Sequence, residues 1–94
     1  MPERHFQVQW PDGLLETCYS PSSTIENYLS EGKKYPLKQF LDLSDQALNE
    51  ASERVRQKYG YACSSAMDQL KKINNRALTY RNLNDPHVSI LRIT

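Results

Sequence analysis

The chain has 94 residues, of which 38% are hydrophobic and 24% are charged, and its formal net charge is +1 at pH 7. This length fits a single domain spanning residues 1–94, and the composition is that of a folded polar protein and not of a disordered chain. No apolar run is long enough to form a transmembrane span or a signal-peptide core, so we expect a cytoplasmic protein.

The chain begins with the pattern of a β-hairpin. Residues 5–10 alternate strictly between polar and apolar side chains, which predicts a half-buried strand. Residues 11–13, with the sequence Pro-Asp-Gly, have the residue types of a type I turn followed by a glycine bulge. Such a turn would place Phe6 opposite Cys18, so we expect Cys18 on the apolar face of the hairpin.

The same register places one charged residue, Glu16, opposite Val8 on the apolar face. Its carboxylate needs either water or a cation, because an unpaired buried charge is costly. It is expected to reach solvent at the sheet edge or to pair with Arg54 or Arg56, and the sequence does not choose between these outcomes.

Helical patterns occupy the middle of the chain. Ser23, with Glu26 three residues later, has the spacing of a capping box and predicts a short helix near residues 24–30. Apolar residues then recur at helical spacing and predict a long helix over residues 36–59. Gly60 is suited to a left-handed cap, and a Schellman arrangement would fold Tyr61 back onto Val55.

A second helix and a closing strand follow. Ser64 or Ser65 is the expected cap of the helix, residues 82–86 interrupt its pattern, and residues 88–93 favour a strand. The order β-β-α-α-β therefore predicts an α+β fold in which two long antiparallel helices cover one face of a three-stranded sheet.

Charge is distributed unevenly along the chain. Residues 1–53 carry four Lys or Arg and nine Asp or Glu, giving −5, whereas residues 54–81 carry seven Lys or Arg against Asp68, giving +6. The basic segment favours an acidic protein partner. A helix-turn-helix interpretation is weaker because the first helix is long and the whole chain is nearly neutral. The candidate interaction surface consists of Arg54, Lys58, Tyr59, Tyr61, Lys71 and Lys72.

Six tyrosines add a second signal for an interaction surface. Most of them lie close to the predicted ends of helices and strands, where partly buried rings commonly contact partners. Tyrosines in such places also fix loops to a small core, and the sequence supports the two interpretations equally.

The two cysteines, Cys18 and Cys63, are the candidate reactive thiols. Cys63 comes just before a helix start, where amide N–H groups favour a thiolate. A catalytic nucleophile also needs a base, and neither His5 nor His87 stands near it in sequence. The competing interpretation is a small buried hydrophobe at the helix joint.

The sequence contains no signature of a cofactor, metal or nucleotide site. The three glycines, Gly13, Gly32 and Gly60, all stand at predicted turns or caps, which leaves none for a phosphate-binding loop. The histidines are not at ligand spacing to the cysteines. We therefore expect no cofactor, no metal and no independent enzymatic activity.

Several segments, in order and at matching spacing over roughly residues 1–70, resemble a small bacterial family of nitrogen starvation response proteins. The genes of this family accompany a nitrilase cluster that also encodes a radical-SAM protein, an acetyltransferase and a flavin-dependent oxidoreductase. The segments are Met1-Pro2-Glu3, Trp10-Pro11-Asp12-Gly13, Cys18-Tyr19-Ser20-Pro21-Ser22, Tyr35-Pro36-Leu37, Ala51-Ser52-Glu53-Arg54-Val55 and residues 58–66, Lys-Tyr-Gly-Tyr-Ala-Cys-Ser-Ser-Ala.

The resemblance implies an accessory or regulatory role in nitrogen metabolism and, as the protein partner, an enzyme of the nitrilase cluster. It transfers no catalytic or cofactor residue to this chain. The leading hypothesis is thus a binding protein that acts through protein–protein contacts. The alternatives are a thiol-based redox or carrier protein that uses Cys63 and, third, a nucleic-acid-binding protein.

Overall fold

The computed structural model describes residues 3–61 and 64–94. An antiparallel sheet of four strands, in the order β2-β1-β4-β3, carries two helices on one face. The helices and strands are β1 (Arg4–Gln9), β2 (Leu15–Ser20), a 3₁₀-helix (Ser23–Asn27), β3 (Lys34–Pro36), α1 (Leu37–Tyr59), α2 (Ser64–Ala77), a second 3₁₀-helix (Leu78–Tyr80) and β4 (His87–Ile93).

The hairpin has the predicted register. Phe6 lies opposite Cys18, and the Trp10 amide donates to the Leu14 carbonyl at 2.8 Å. The turn closes because Gly13 adopts a φ of 91°, a left-handed conformation that glycine tolerates without strain. Asp12 Oδ1 accepts a 3.0 Å hydrogen bond from the Leu14 amide. That bond holds the pKa of Asp12 below its usual value.

The sheet has four strands, so the prediction of three was incomplete. β3 gives no strand signal in the sequence because it has only three residues and ends in proline, too few for a recognisable alternation. It pairs antiparallel with β4, where Tyr35 lies opposite Val88. The Gly32 amide donates to the Ile90 carbonyl at 2.7 Å, and the Ile90 amide donates to the Lys33 carbonyl at 2.8 Å.

The predicted short helix is a 3₁₀-helix, Ser23–Asn27, and the predicted capping box is wrong. Its cap is Ser22, not Ser23, because the Ser22 hydroxyl accepts the amide two residues later at 3.2 Å. Glu26 does not reach back to the cap but forms a 3.1 Å ion pair with Arg4 on β1.

The two long helices lie where the periodicity predicted them. α1 ends at Gly60, which has a φ of 85° and donates its amide to the Arg56 carbonyl at 2.7 Å, a left-handed cap as expected. Neither helix combines the length and hydropathy that crossing a bilayer requires, a finding that covers the described residues.

Trp10 is the largest side chain in the core, with 1% of its surface exposed. Its indole stacks on Tyr80, with a centroid distance of 5.6 Å and an interplanar angle of 17°. It also meets the Phe40 ring edge-on, at 5.6 Å and 84°. Trp10 therefore joins the sheet, α1 and the segment after α2 into one core.

Candidate interaction site

The last two turns of α1, with Gly60 and Tyr61, extend beyond the core, and residues 53–61 are called the helical tip below. All of these residues are exposed except Val55, which is half-buried, and the last buried residue of α1 is Ser52. Lengths explain the overhang: 23 helical residues span about 35 Å, whereas the six residues of β1 span about 20 Å. The molecule is accordingly elongated, measuring 42 × 23 × 17 Å.

Two tyrosine rings form the surface of the helical tip. Tyr59 is 54% exposed and Tyr61 is 67% exposed, and their ring centroids are 6.3 Å apart. The Lys58 ammonium lies 5.4 Å from the centroid of the Tyr59 ring, within cation–π distance. Tyr61 therefore lies beside Tyr59 in solvent, whereas the predicted Schellman arrangement would have packed it onto Val55.

The remaining tyrosines serve the fold to different degrees. Tyr80 is in the core, and the Tyr35 hydroxyl accepts a 2.9 Å hydrogen bond from the Ser30 amide. The Tyr28 hydroxyl donates to Glu50 at 2.7 Å, a bond that raises the pKa of Tyr28. The interpretation that tyrosines fix loops to the core thus holds for Tyr28 and Tyr35, and the exposed tyrosines among the described residues are the two of the helical tip.

Two arginines of the basic segment form ion pairs with glutamates of the same helix. Arg54 pairs with Glu50 at 3.6 Å, and Arg56 forms an ion pair with Glu53, each one helical turn earlier. Exposed pairs of this kind contribute little to stability and are readily exchanged for a partner's groups. Among the described residues of the helical tip, Lys58 is a basic residue without a carboxylate partner.

Lys71 and Lys72 are exposed on α2 and are not part of the helical tip. They come seven and eight residues after Ser64, so they are about 10–12 Å along the helix axis from its start. Consecutive helix positions diverge by about 100°, which turns the two lysines towards different sides. The structure thus places Arg54, Lys58 and the two tip tyrosines at the end of α1, and this pair on α2.

The cation beside Glu16 is Arg76 of α2, not Arg54 or Arg56. Glu16 Oε1 accepts from the Arg76 Nε at 3.1 Å and also from the Trp10 indole Nε1 at 3.0 Å. The carboxylate therefore satisfies the one polar atom of a buried tryptophan and neutralises one basic residue of α2. Its position on the apolar face has a structural explanation.

Cys18 is a residue of β2, and its side chain is fully buried in the core. Burial, with a smaller contribution from the Glu16 carboxylate, raises the pKa of the Cys18 thiol to about 12. Because the thiolate is the reactive form, a thiol in this state is inert at neutral pH. Cys63 lies outside the described residues, so its candidate role stays a prediction.

Native Cys18 is expected to resist thiol reagents at neutral pH and to react only after unfolding. The pKa is raised from 9.0 to about 12 on folding. The native state therefore keeps a proton that the unfolded chain loses above pH 9, and the free energy of unfolding should fall as pH rises from 9 towards 12, by at most about 1.4 kcal/mol per pH unit.

A Cys18→Ala variant is the control for this prediction. Without the thiol, its free energy of unfolding should fall less steeply between pH 9 and pH 12. Tyr28 and Tyr80, whose pKa values are also raised, contribute in the same direction in both proteins and cancel in the comparison. Equal slopes in the two proteins would contradict the prediction. Any thiol that titrates rapidly in the native protein would belong to Cys63.

A concave region, an open groove of about 430 Å³, lies across neighbouring ends of β1, β4 and β3. It is lined by side chains that include Lys34, His87 and Ser89. His87 is the first residue of β4, and the sequence gave no signal for this groove. It depends on the pairing of β3 with β4, which the sequence did not reveal.

Fold and site together define a small α+β protein that presents an aromatic and basic helical tip. Within the described residues there is no cluster of three or more potential metal ligands. The chain belongs to the family described as nitrogen starvation-induced protein NitG, whose model matches residues 5–93. That match includes α2 and β4, beyond the segments on which the resemblance was based. Neither the curated proteins nor the solved structures contain a match.

Proposed function

We propose that this protein is an accessory or regulatory binding protein of the nitrogen starvation response, and that its helical tip docks on a partner protein in the cytoplasm. The observation that carries the proposal is the exposure of Tyr59 and Tyr61 beyond the core. Neither ring belongs to the core formed by the described residues, and the exposed apolar surface of both rings is unfavourable in water. The family membership supports a role in nitrogen starvation, and the helical tip is the surface that we propose contacts the partner.

The helical tip has the composition of an interface centre. Tyrosine and arginine are enriched among the residues that dominate binding energy. A tyrosine ring is also rigid, so that ordering it on binding costs little conformational entropy. The helical tip presents Tyr59 and Tyr61 beside Arg54 and Arg56, whose intrahelical partners a new carboxylate would replace.

The charge of the helical tip favours an acidic partner surface. Lys58 is not paired with a carboxylate, and its ammonium lies against the Tyr59 ring. A carboxylate brought to this position would meet a cation beside an aromatic face, which steers association and fixes orientation. An enzyme encoded by the nitrilase cluster is the partner that we propose.

Affinity purification of the tagged full-length chain tests the proposal. In cells starved of nitrogen, we expect one protein to copurify in stoichiometric amounts, and to be lost at high salt because the contact is partly electrostatic. The control is the same purification from cells with ample nitrogen. If the protein from an extract of starved cells eluted from gel filtration at the mass of the free chain, the result would contradict the proposal.

A further inference from the structure

The open groove beside β3 and β4 carries a separate inference that does not depend on the proposed function. Its floor is the outer face of the sheet, which the helices do not cover. One wall is the hairpin turn at residues 11–13, and the other is the loop at residues 83–86. A volume of about 430 Å³ is in the range of small-molecule sites.

Three polar side chains form a row across the floor of this groove. The strand register places Gln9 of β1 opposite Ser89 of β4, and Ser89 opposite Lys34 of β3. An amide, a hydroxyl and an ammonium therefore lie side by side on three hydrogen-bonded strands. Within the described part of the chain, none of the three has a side-chain hydrogen bond or ion pair. All three can donate to one acceptor group.

His87 stands on the same face, two residues before Ser89, and its ring is held in one orientation. The Nδ1 atom lies 2.9 Å from the Asp85 carbonyl oxygen, which can only accept, so Nδ1 carries the proton. In the neutral ring, Nε2 is then an acceptor. The carbonyl is held in place by Asp85, which adopts a φ of 54°, a conformation rare for a residue with a side chain.

From this arrangement we infer a binding site for a small α-amino acid. The carboxylate of the ligand lies on Lys34, Ser89 and Gln9, which supply one charge and two neutral donors. The ammonium of the ligand lies on His87 Nε2, the free acceptor of the ring. The exposed carboxylate of Asp85, 3.9 Å from Nδ1 on the other side of the ring, adds negative charge nearby. A polar, open groove of this kind suits a hydrophilic ligand bound with modest affinity.

Three probes of similar size separate the two halves of the site: L-glutamine, 4-carbamoylbutanoate, which lacks the α-amino group, and L-glutaminamide, which lacks the carboxylate. In an NMR titration of the full chain, L-glutamine should shift the amide resonances of Lys34, His87 and Ser89 saturably. Each truncated probe should bind at least tenfold more weakly, because each leaves one half of the site without its partner.

The Lys34→Gln variant should bind L-glutamine at least tenfold more weakly. The matched control Lys38→Gln changes an exposed lysine of α1 outside the groove and should leave the affinity unchanged. Both lysines are exposed, so the fold is expected to survive, and the dispersion of the spectrum reports it directly. Identical shifts with all three probes, no saturable shift, or an unchanged affinity in Lys34→Gln would overturn the inference.

Discussion

Trp10→Ala is expected to cost about 3–5 kcal/mol of unfolding free energy, the usual range for truncating a buried aromatic side chain. The indole is fully enclosed, stacks on Tyr80 and meets the Phe40 ring edge-on. A domain of this size has about 5–14 kcal/mol in total, so the variant should lose a large fraction of its stability. Urea denaturation followed by far-ultraviolet circular dichroism measures the change.

Two matched variants identify the origin of that cost. Trp10→Phe keeps an aromatic ring in the stack and loses the indole N–H that donates to Glu16, so it should cost less than Trp10→Ala. Tyr61→Ala truncates an aromatic side chain of similar size in solvent, and its effect should stay within about 0.5 kcal/mol. A loss below about 1 kcal/mol in Trp10→Ala would show that the stack is not central to the core.

Local patterns predicted the parts of the fold that local physics determines. The alternation of residues 5–10 and the turn chemistry of residues 11–13 specify one hairpin register, because a slip by one residue would turn every apolar side chain outwards. The long helix was predicted within one residue at its start and ended at the expected glycine, Gly60. In these segments a few neighbouring residues contain the whole signal.

Long-range pairings were missed because no local signal encodes them. β3 becomes a strand only because β4 offers a free edge, and three residues that include Pro36 show no period of their own. The partner of Glu16 is Arg76, which is 60 residues away in sequence. The basic segment, residues 54–81, contains six other Lys or Arg residues, and the sequence alone does not show which of the seven lies beside Glu16. The groove of Lys34 and His87 follows from the same missed pairing.

The candidate site was predicted in part. Helical spacing placed Tyr59 in line with the apolar residues of α1, and the sequence selected the basic residues around it. The buried residues of α1 end at Ser52, however, so Tyr59 lies outside the core. The signal that could have shown this is length, since a helix of about 35 Å cannot be covered by strands of about 20 Å. Comparing the lengths of helices and strands is therefore a useful step before a stripe is assigned to a core.

Replacing both tip tyrosines, Tyr59→Ala with Tyr61→Ala, should remove the copurifying partner. Exposed rings that become buried at the centre of an interface contribute about 2 kcal/mol or more each, so the double variant should lose roughly 700-fold or more in affinity. The free energy of unfolding should barely change, because both rings are more than half exposed in the free protein. Equilibrium binding to the purified partner measures the first quantity, and urea denaturation measures the second.

The matched control for this prediction truncates two other exposed apolar residues, Leu78→Ala with Leu83→Ala. Both follow α2, at the far end of that helix from its start beside the helical tip, so partner binding should be unchanged. Lys58→Glu supplies the electrostatic test: it should slow association most at low salt, since reversing one unpaired cation weakens steering towards an acidic surface. If the leucine pair abolished binding and the tyrosine pair did not, the partner would dock at the opposite end of the molecule.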